Sequence, residues 1–166
     1  MQIQIEGLDR LLKKTDPAFL LKPLRNFFER STRTIEAHAK EKAPVDTGLL
    51  RSSIGSEIDA STPPRWGQVG TAVVYAPFME YGTGLLAAQG ARERHFPPGE
   101  ALELWAGRHG IESGFQVAAA IGRRGGLKPH LFLTGAVKAS LGAIEGYVRQ
   151  LGSEIGQQWE ARNGGD

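Results

Sequence analysis

Residues 43–54 read APVDTGLLRSSI, and this stretch separates a helical pattern from an alternating one. Before it, apolar residues recur at helical spacing from Leu20 to Ala39, with Ser31 as a small polar member of the same stripe. Pro44 ends that pattern, because proline does not continue a helix. The stretch therefore predicts the point at which a long N-terminal helix gives way to a sheet.

The start of this helix has two signals in the sequence. Asp16 can cap free backbone amides and Pro17 suits a first helical turn, so together they predict a start near residue 17. Pro23 lies inside the pattern and predicts either a kink or a later start. Further upstream, residues 2–6 alternate polar and apolar, which predicts a short edge strand.

Two strands are predicted after the opening stretch. Residues 52–58 have Ile54 and Ile58 as apolar anchors, and residues 68–75 read QVGTAVVY, which is rich in strand formers. A turn-rich loop at residues 61–67 joins them. Because they are close in sequence, we expect them to pair as antiparallel neighbours.

The last long element is a helix predicted from Leu131 to about Ala161. Its apolar residues follow each other at spacings of four and three, as in a heptad seam. The seam comprises Val137, Leu141, Ile144, Val148, Leu151 and Ile155. Gly142 and Gly146 lie off the seam, where interior glycine costs roughly 1 kcal/mol against alanine. They indicate either tolerated drift or close approach of another chain's backbone.

Between these regions, residues 85–127 predict a glycine-rich loop-and-helix excursion. Residues 100–109 and 113–124 each show a helical pattern, and together they predict a helical hairpin. The whole chain predicts an α+β fold, in which a small antiparallel sheet packs against long N-terminal and C-terminal helices and the hairpin is an insertion. We expect a single domain over residues 1–166, since domains typically run to ~100–200 residues.

Composition narrows the function classes. The chain has 166 residues and no cysteine, which excludes disulfides, thiolate zinc sites and a cysteine nucleophile. Lys and Arg total 20 against 18 Asp and Glu, and this small excess, spread along the chain, gives little support for a dedicated nucleic-acid binder. We expect neither a signal peptide nor a membrane span, and a protein made in a reducing cytoplasm.

Catalytic and metal-binding patterns are not recognisable in the sequence. His38 with Glu41, and His109 with Glu112, each give two candidate ligands, whereas zinc needs three or four. No nucleophile elbow or phosphate-binding glycine loop occurs. We therefore expect no enzyme activity, no cofactor and no metal.

One segment supports an alternative function. Residues 101–124 have the outline of a helix-turn-helix, with Arg123 and Arg124 at the far end. The second helix is poor in the side chains that read base edges, so an αα-hairpin packed on protein is the preferred interpretation. A small DNA-binding regulator remains the alternative, followed by an enzyme and by a toxin or other interaction module.

Three ordered blocks carry a resemblance to a known family. They are residues 43–54 (APVDTGLLRSSI), residues 75–83 (YAPFMEYGT) and residues 128–133 (KPHLFL). Over roughly residues 17–162 the chain resembles the tail-component family of tailed bacteriophages, also called tail-completion or head–tail joining proteins. The third block departs from the family's Arg-Pro-Phe-Leu pattern by His130 and Leu131, and the segment 85–127 is longer than in compact members.

The resemblance implies that the blocks build the scaffold rather than an active site. The residues that match are Asp46, Thr47, Gly48, Leu50, Arg51, Ile54, Tyr75, Glu80, Gly82, Thr83, Pro129 and Phe132. Physical reasoning agrees for several: Gly48 should form a tight turn, Leu50 and Ile54 should be buried with Arg51 outside, and Gly82 should permit a bend. If the strands pair, Arg51 and Glu80 would face each other as an ion pair.

The resemblance also implies a function. It predicts a structural virion protein at the neck or upper tail, made in the host cytoplasm and assembled as a homo-oligomeric ring, most plausibly a hexamer. Its partners would be the tail terminator or tail tube protein and the head connector, with DNA only passing through the lumen and no membrane involved. The candidate contacts between subunits are Phe96, Trp105, Phe115, Gly142 and Gly146.

Overall fold

The computed structural model describes residues 2–4, 18–90 and 93–163, and the chain divides into two compact units. The first unit combines the chain up to Ala72 with the chain from Leu133 onward, and the second unit is Val73–Phe132. The predicted excursion at 85–127 lies inside the second unit, which extends further on both sides. The predicted α+β class is confirmed, while the single domain over 1–166 stays a prediction.

Helix α1 (Ala18–Lys42) forms the centre of the first unit. Its predicted apolar stripe is buried, and Ser31 is buried within it. Pro23 lies inside the helix rather than at its start. The predicted start at Asp16 and Pro17 lies outside the described residues.

Within the described residues, three short strands form an antiparallel sheet in the order β1-β3-β2. They are β1 (Gln2–Gln4), β2 (Gly55–Ile58) and β3 (Trp66–Gly70). The predicted edge strand at 2–6 is confirmed over residues 2–4, because β1 lies at the sheet edge. The sheet packs against α1, and a Cβ built on Gly67 would lie 2.7 Å from Cγ2 of Thr32.

Both predicted strand boundaries near this sheet are wrong. Ser52 and Ser53 belong to a short helix, α2 (Leu49–Ser53), instead of the following strand. The second strand ends at Gly70 instead of Tyr75. The reason is the register: Gly55, the first residue of β2, pairs with Gly70, and the residues before it are helical. Residues 71–75 therefore have no partner on β2.

Helix α6 (Phe132–Asn163) runs antiparallel to α1 within the first unit. His38 Nδ1 lies 2.8 Å from Ser140 Oγ, and Thr34 Oγ1 lies 3.1 Å from the Tyr147 hydroxyl. The rings of Phe19 and Trp159 pack at a centroid distance of 6.3 Å near the other end.

The predicted seam of α6 is correct only in part. Ile144, Leu151 and Ile155 pack against the α1 core, whereas Leu141 and Val148 are half exposed. Small and polar residues complete the buried face in their place, since Ala136 and Ser140 are fully buried and Tyr147 packs on the same core. Hydrophobicity alone predicts that Leu141 and Val148 face α1. The small side chains of Ala136 and Ser140 are buried there instead, because they let α1 approach closely.

The second unit contains the predicted helical hairpin. Its helices are α3 (Ala76–Tyr81), α4 (Glu103–Arg108) and α5 (Gly114–Arg124), with 3₁₀ turns at Gly84–Leu86 and Glu100–Leu102. The hairpin closes tightly, because a Cβ on Gly114 would lie 2.2 Å from the Gly99 carbonyl oxygen.

Candidate motif core and assembly surface

The first motif block forms a turn and a short helix in the first unit. Gly48 has φ +82° and caps the N-terminus of α2, where its carbonyl accepts a hydrogen bond from Ser52 at 2.9 Å. The Leu49 amide donates to Thr47 Oγ1 at 3.4 Å. Leu50 and the following Ile54 are buried. The tight turn and the two buried anchors agree with the sequence prediction.

The strand positions predicted for Arg51 and Glu80 are wrong, while their ion pair stays a prediction. Arg51 is exposed on α2 in the first unit, and Glu80 is buried on α3 in the second unit. Neither residue lies on a strand, because the helical turns of α2 and α3 occupy those positions.

In the second unit, the second motif block contacts the third block and Leu127, the residue just before it. The Thr83 amide donates to the Leu127 carbonyl at 2.9 Å, and the Leu127 amide donates back to Thr83 Oγ1 at 3.0 Å. Thr83 is buried, so this pair of bonds satisfies polar groups away from water. Sequence reasoning named both blocks but did not predict that they touch.

Glycine makes this contact possible. Gly82 has φ +71° and ψ −174°, a conformation open essentially only to glycine, and a Cβ there would lie 2.5 Å from the Leu127 carbonyl oxygen and 2.8 Å from the Pro129 nitrogen. On the opposite side, a Cβ on Gly126 would lie 1.9 Å from the Thr83 carbonyl oxygen. Two backbone segments therefore cross at a distance that excludes any side chain.

The residues that depart from the family pattern have a structural role. The His130 amide donates to the Met79 carbonyl at 2.8 Å, and the Leu131 amide donates to the Glu80 carbonyl at 3.1 Å. These two carbonyls lie in the last turn of α3, where the helix itself provides no N–H donor for them. The two additional residues therefore close the C-terminus of α3. Phe132 follows and is fully buried.

The aromatic residues predicted to contact other subunits, Phe96, Trp105 and Phe115, also make contacts within their own chain. A Cβ on Gly122 would lie 2.0 Å from the Phe96 ring, and one on Gly99 would lie 2.5 Å from the Phe115 ring. Each ring therefore packs on a glycine while remaining 59% exposed. Trp105 stacks on His109 at a centroid distance of 3.9 Å. The two phenylalanines attach the loop before α4 to helix α5.

Packing among the described residues does not require glycine at Gly142 and Gly146, the two predicted contact positions on α6. A Cβ on Gly142 would meet nothing within 4 Å, and one on Gly146 would meet only the end of the Arg149 side chain at 3.9 Å. Helix packing among the described residues therefore does not explain these two glycines.

A group of exposed apolar residues was missed by sequence reasoning. Val74 is 88% exposed, and Tyr75, Phe78, Tyr81 and Leu85 are each between 41% and 50% exposed. The available signal was charge: residues 66–91 contain a single ionisable acid or base, Glu80, and it is buried. Charge depletion with aromatic enrichment is typical of the centre of a protein interface.

Two features of the described residues concern metal and small-molecule binding. No group of three or more His, Asp or Glu residues is placed to hold a metal ion there. A shallow groove in the first unit, with an internal volume of about 10 Å³, includes Arg30 and Tyr147, whose guanidinium and ring stack at 4.1 Å. Ligand pockets are usually ~300–1,000 Å³. Among the same residues, none of the helices combines the length and the hydrophobicity that a membrane span needs.

The arginines that the helix-turn-helix alternative needs for phosphate contact lie at the C-terminal end of their helix. Arg123 and Arg124 form the last turn of α5, and the Arg123 carbonyl accepts a hydrogen bond from Arg94 Nη1 at 2.8 Å. Recognition helices present their N-terminal residues to the bases, and here that end is capped by Ser113. The hairpin is thus a packed αα-hairpin in geometry.

Comparison of the chain with protein-family models, with curated proteins and with solved structures found no match.

Proposed function

We propose that this chain is a structural virion protein of a tailed bacteriophage, a tail-completion or head–tail joining component that assembles as a homo-oligomeric ring at the neck or upper tail. It binds copies of itself, the tail terminator or tail tube protein, and the head connector. DNA passes through the lumen without base-specific contact. The protein acts by surface complementarity and has no catalytic role.

The observation that best supports this proposal is the crossing of the second and third motif blocks. The His130 and Leu131 amides of the third block donate to the Met79 and Glu80 carbonyls of the second block. Gly82 lets the backbones approach, since a Cβ there would lie 2.8 Å from the Pro129 nitrogen. The blocks that carry the family resemblance thus build a rigid backbone junction, as expected of a scaffold. A second support is the exposed, uncharged surface around Phe78, which is typical of a protein that is buried in an assembly.

The test uses purified protein and tails from a phage assembled without this chain. Mass photometry measures the protein alone, and negative-stain electron microscopy then locates it on the tails. We expect extra density at one tail end and an assembly of uniform size, either in solution or on the tail.

A protein that ignores tails in every buffer would contradict the proposal. Strong, salt-dependent binding of duplex DNA by that same protein would favour the regulator alternative, since phosphate contacts weaken as salt rises.

A further inference from the structure

Leu131 has a backbone conformation that leucine rarely adopts. Its φ is +51°, and among the described residues every other positive φ belongs to a glycine. The left-handed region is disfavoured by roughly tenfold for a residue that has a Cβ. Such strain persists only where the surrounding structure imposes it, and it is found preferentially at sites that bind or switch.

Two hydrogen bonds to α3 impose this conformation. The His130 amide donates to the Met79 carbonyl at 2.8 Å, and the Leu131 amide donates to the Glu80 carbonyl at 3.1 Å. We name this pair of bonds the α3 clasp. It holds the chain against the last turn of α3 directly before α6 begins at Phe132. The left-handed backbone at Leu131 lets the chain make both bonds and then enter the helix.

The same residues have a second way to fold. Residues 128–131 read KPHL, and proline is favoured in the first turn of a helix. With right-handed backbone at Leu131, α6 would begin at Pro129 and be longer by about 4.5 Å, at about 1.5 Å per residue. This helical state relieves the strain and adds bonds within α6. It breaks the clasp, because the first amides of a helix point along its own axis.

We infer that residues 129–131 are a two-state switch between the α3 clasp and a first turn of α6. In the clasped state Leu131 is strained and the C-terminus of α3 is closed, whereas in the helical state Leu131 is relaxed and that C-terminus is open. The crossing of Thr83 with Leu127 has positive φ only at glycines, so it stays closed in both states. The inference does not depend on the proposed function.

The switch controls how one surface is presented. Helix α3 carries Phe78 and Tyr81, whose side chains are 50% and 46% exposed. In the clasped state the last turn of α3 is fixed, and these aromatic side chains are held in one position. In the helical state that turn loses two backbone bonds, so the clasp is the state that favours binding at this surface.

The first experiment follows hydrogen exchange of single amides in the full chain by NMR. The His130 and Leu131 amides should exchange at least about tenfold faster than the Thr83 amide, which donates to the Leu127 carbonyl and opens only when the unit unfolds. Low concentrations of urea should speed exchange at Thr83 and leave the other two amides unchanged, because opening the clasp exposes little surface.

Three substitutions of Leu131 shift the switch without removing its amides. Leu131→Gly should slow exchange of amides 130 and 131 by roughly tenfold, because glycine adopts positive φ freely and is a poor helix former. Leu131→Ile should speed it by roughly tenfold, because a β-branched residue is poorly tolerated at positive φ. Leu131→Met is the matched control, and it should stay within about twofold of the wild-type chain, because it is unbranched and similar in volume.

A second experiment identifies the open state. His130→Pro with Leu131→Ile removes one donor of the clasp and increases the strain, while proline still fits a first helical turn. The protein should then populate the helical state. A nuclear Overhauser contact should appear between the Hα of residue 130 and the amide of Leu133, since residues three apart are neighbours in a helix.

Three results would overturn the inference. They are exchange of amides 130 and 131 at the rate of the Thr83 amide, equal exchange rates in Leu131→Gly and Leu131→Ile, and an open clasp in the double variant without the helical contact. If the double variant unfolds the second unit, which loss of protection at Thr83 would show, the comparison of Leu131→Gly with Leu131→Ile still decides.

Discussion

Replacing Gly82 with alanine tests whether the crossing of the second and third motif blocks stabilises the second unit. A methyl group at this position would lie 2.5 Å from the Leu127 carbonyl oxygen and 2.8 Å from the Pro129 nitrogen. Both atoms belong to the backbone, so no side chain can rotate away. We therefore expect the two segments to separate.

The size of the effect follows from two contributions. Holding a non-glycine residue in this backbone conformation costs about 1–3 kcal/mol. Separation also removes the two hydrogen bonds between Thr83 and Leu127, each worth about 1 kcal/mol net. The free energy of unfolding should fall by about 3–5 kcal/mol, which is large for one methyl group.

Two further glycines provide matched comparisons. Gly48 has a similar positive φ of +82°, but a Cβ there meets nothing within 4 Å, so Gly48→Ala should cost only about 1–2 kcal/mol of backbone strain. Gly142 lies in the interior of α6 with the same open space, so Gly142→Ala should stabilise the free chain by up to about 1 kcal/mol.

Urea denaturation, followed by circular dichroism and by tryptophan fluorescence, measures all three variants. The fluorescence of Trp105 reports on the second unit, and a Trp105→Phe background separates its signal from the other tryptophans. If Gly82→Ala unfolds at the same midpoint as Gly48→Ala, the close approach contributes nothing, and the junction is not the scaffold described above.

Three more predictions concern two buried serines, one carboxylate and the two arginines of the alternative function. Among the described residues the buried Ser31 hydroxyl has no hydrogen-bond partner, so Ser31→Ala should leave the free energy of unfolding unchanged or slightly raise it. Ser140→Ala should lower it by about 1 kcal/mol, because the Ser140 hydroxyl bonds a histidine of α1; urea denaturation measures both variants. The pKa of Glu36 lies below its ordinary value of 4.5, chiefly because its carboxylate accepts a hydrogen bond from the lysine one turn later, and secondly because it accepts one from a serine of β2. The stability that this lowered pKa contributes is present above pH 4.5 and is lost as pH falls through the folded-state pKa. Glu36→Gln should therefore reduce the loss of stability at acid pH by less than about 1 kcal/mol. An unchanged acid limb of the pH–stability profile would contradict this prediction. Arg123→Ala with Arg124→Ala should leave assembly intact, and loss of strong low-salt duplex binding in a gel-shift assay would instead favour the regulator.

The long helices were predictable because their signals are local and repeat many times. The spacing from Leu20 to Ala39 places α1, and the buried Ser31 follows from the same spacing. The turns at Gly48 and Gly82 were predictable for a different reason, since glycine adopts positive φ without steric cost and so permits a tight turn or bend.

The misplaced elements depend on information that is not local. Val73 to Tyr75 have strand propensity, but a strand also needs a partner, and the register of β2 on β3 leaves none beyond Gly70. Helix α2 is only five residues long, too short for a period to be recognised. The contact of Thr83 with Leu127 joins residues 44 apart, so no local pattern reports it.

The backbone junction at Gly82 and Thr83 lies in the same segment of chain as the exposed apolar residues around Phe78. Tyr75 to Leu85 is attached at Gly82 and Thr83 to the residues before α6, and at Leu85 to the Gly125 carbonyl by a hydrogen bond of 2.8 Å. A surface held in place before contact loses little entropy when it binds, so junction and interface are energetically linked. We therefore expect Gly82→Ala to weaken self-association even though residue 82 contributes no side chain to that apolar surface, whereas Gly48→Ala, which strains only the first unit, leaves it unchanged.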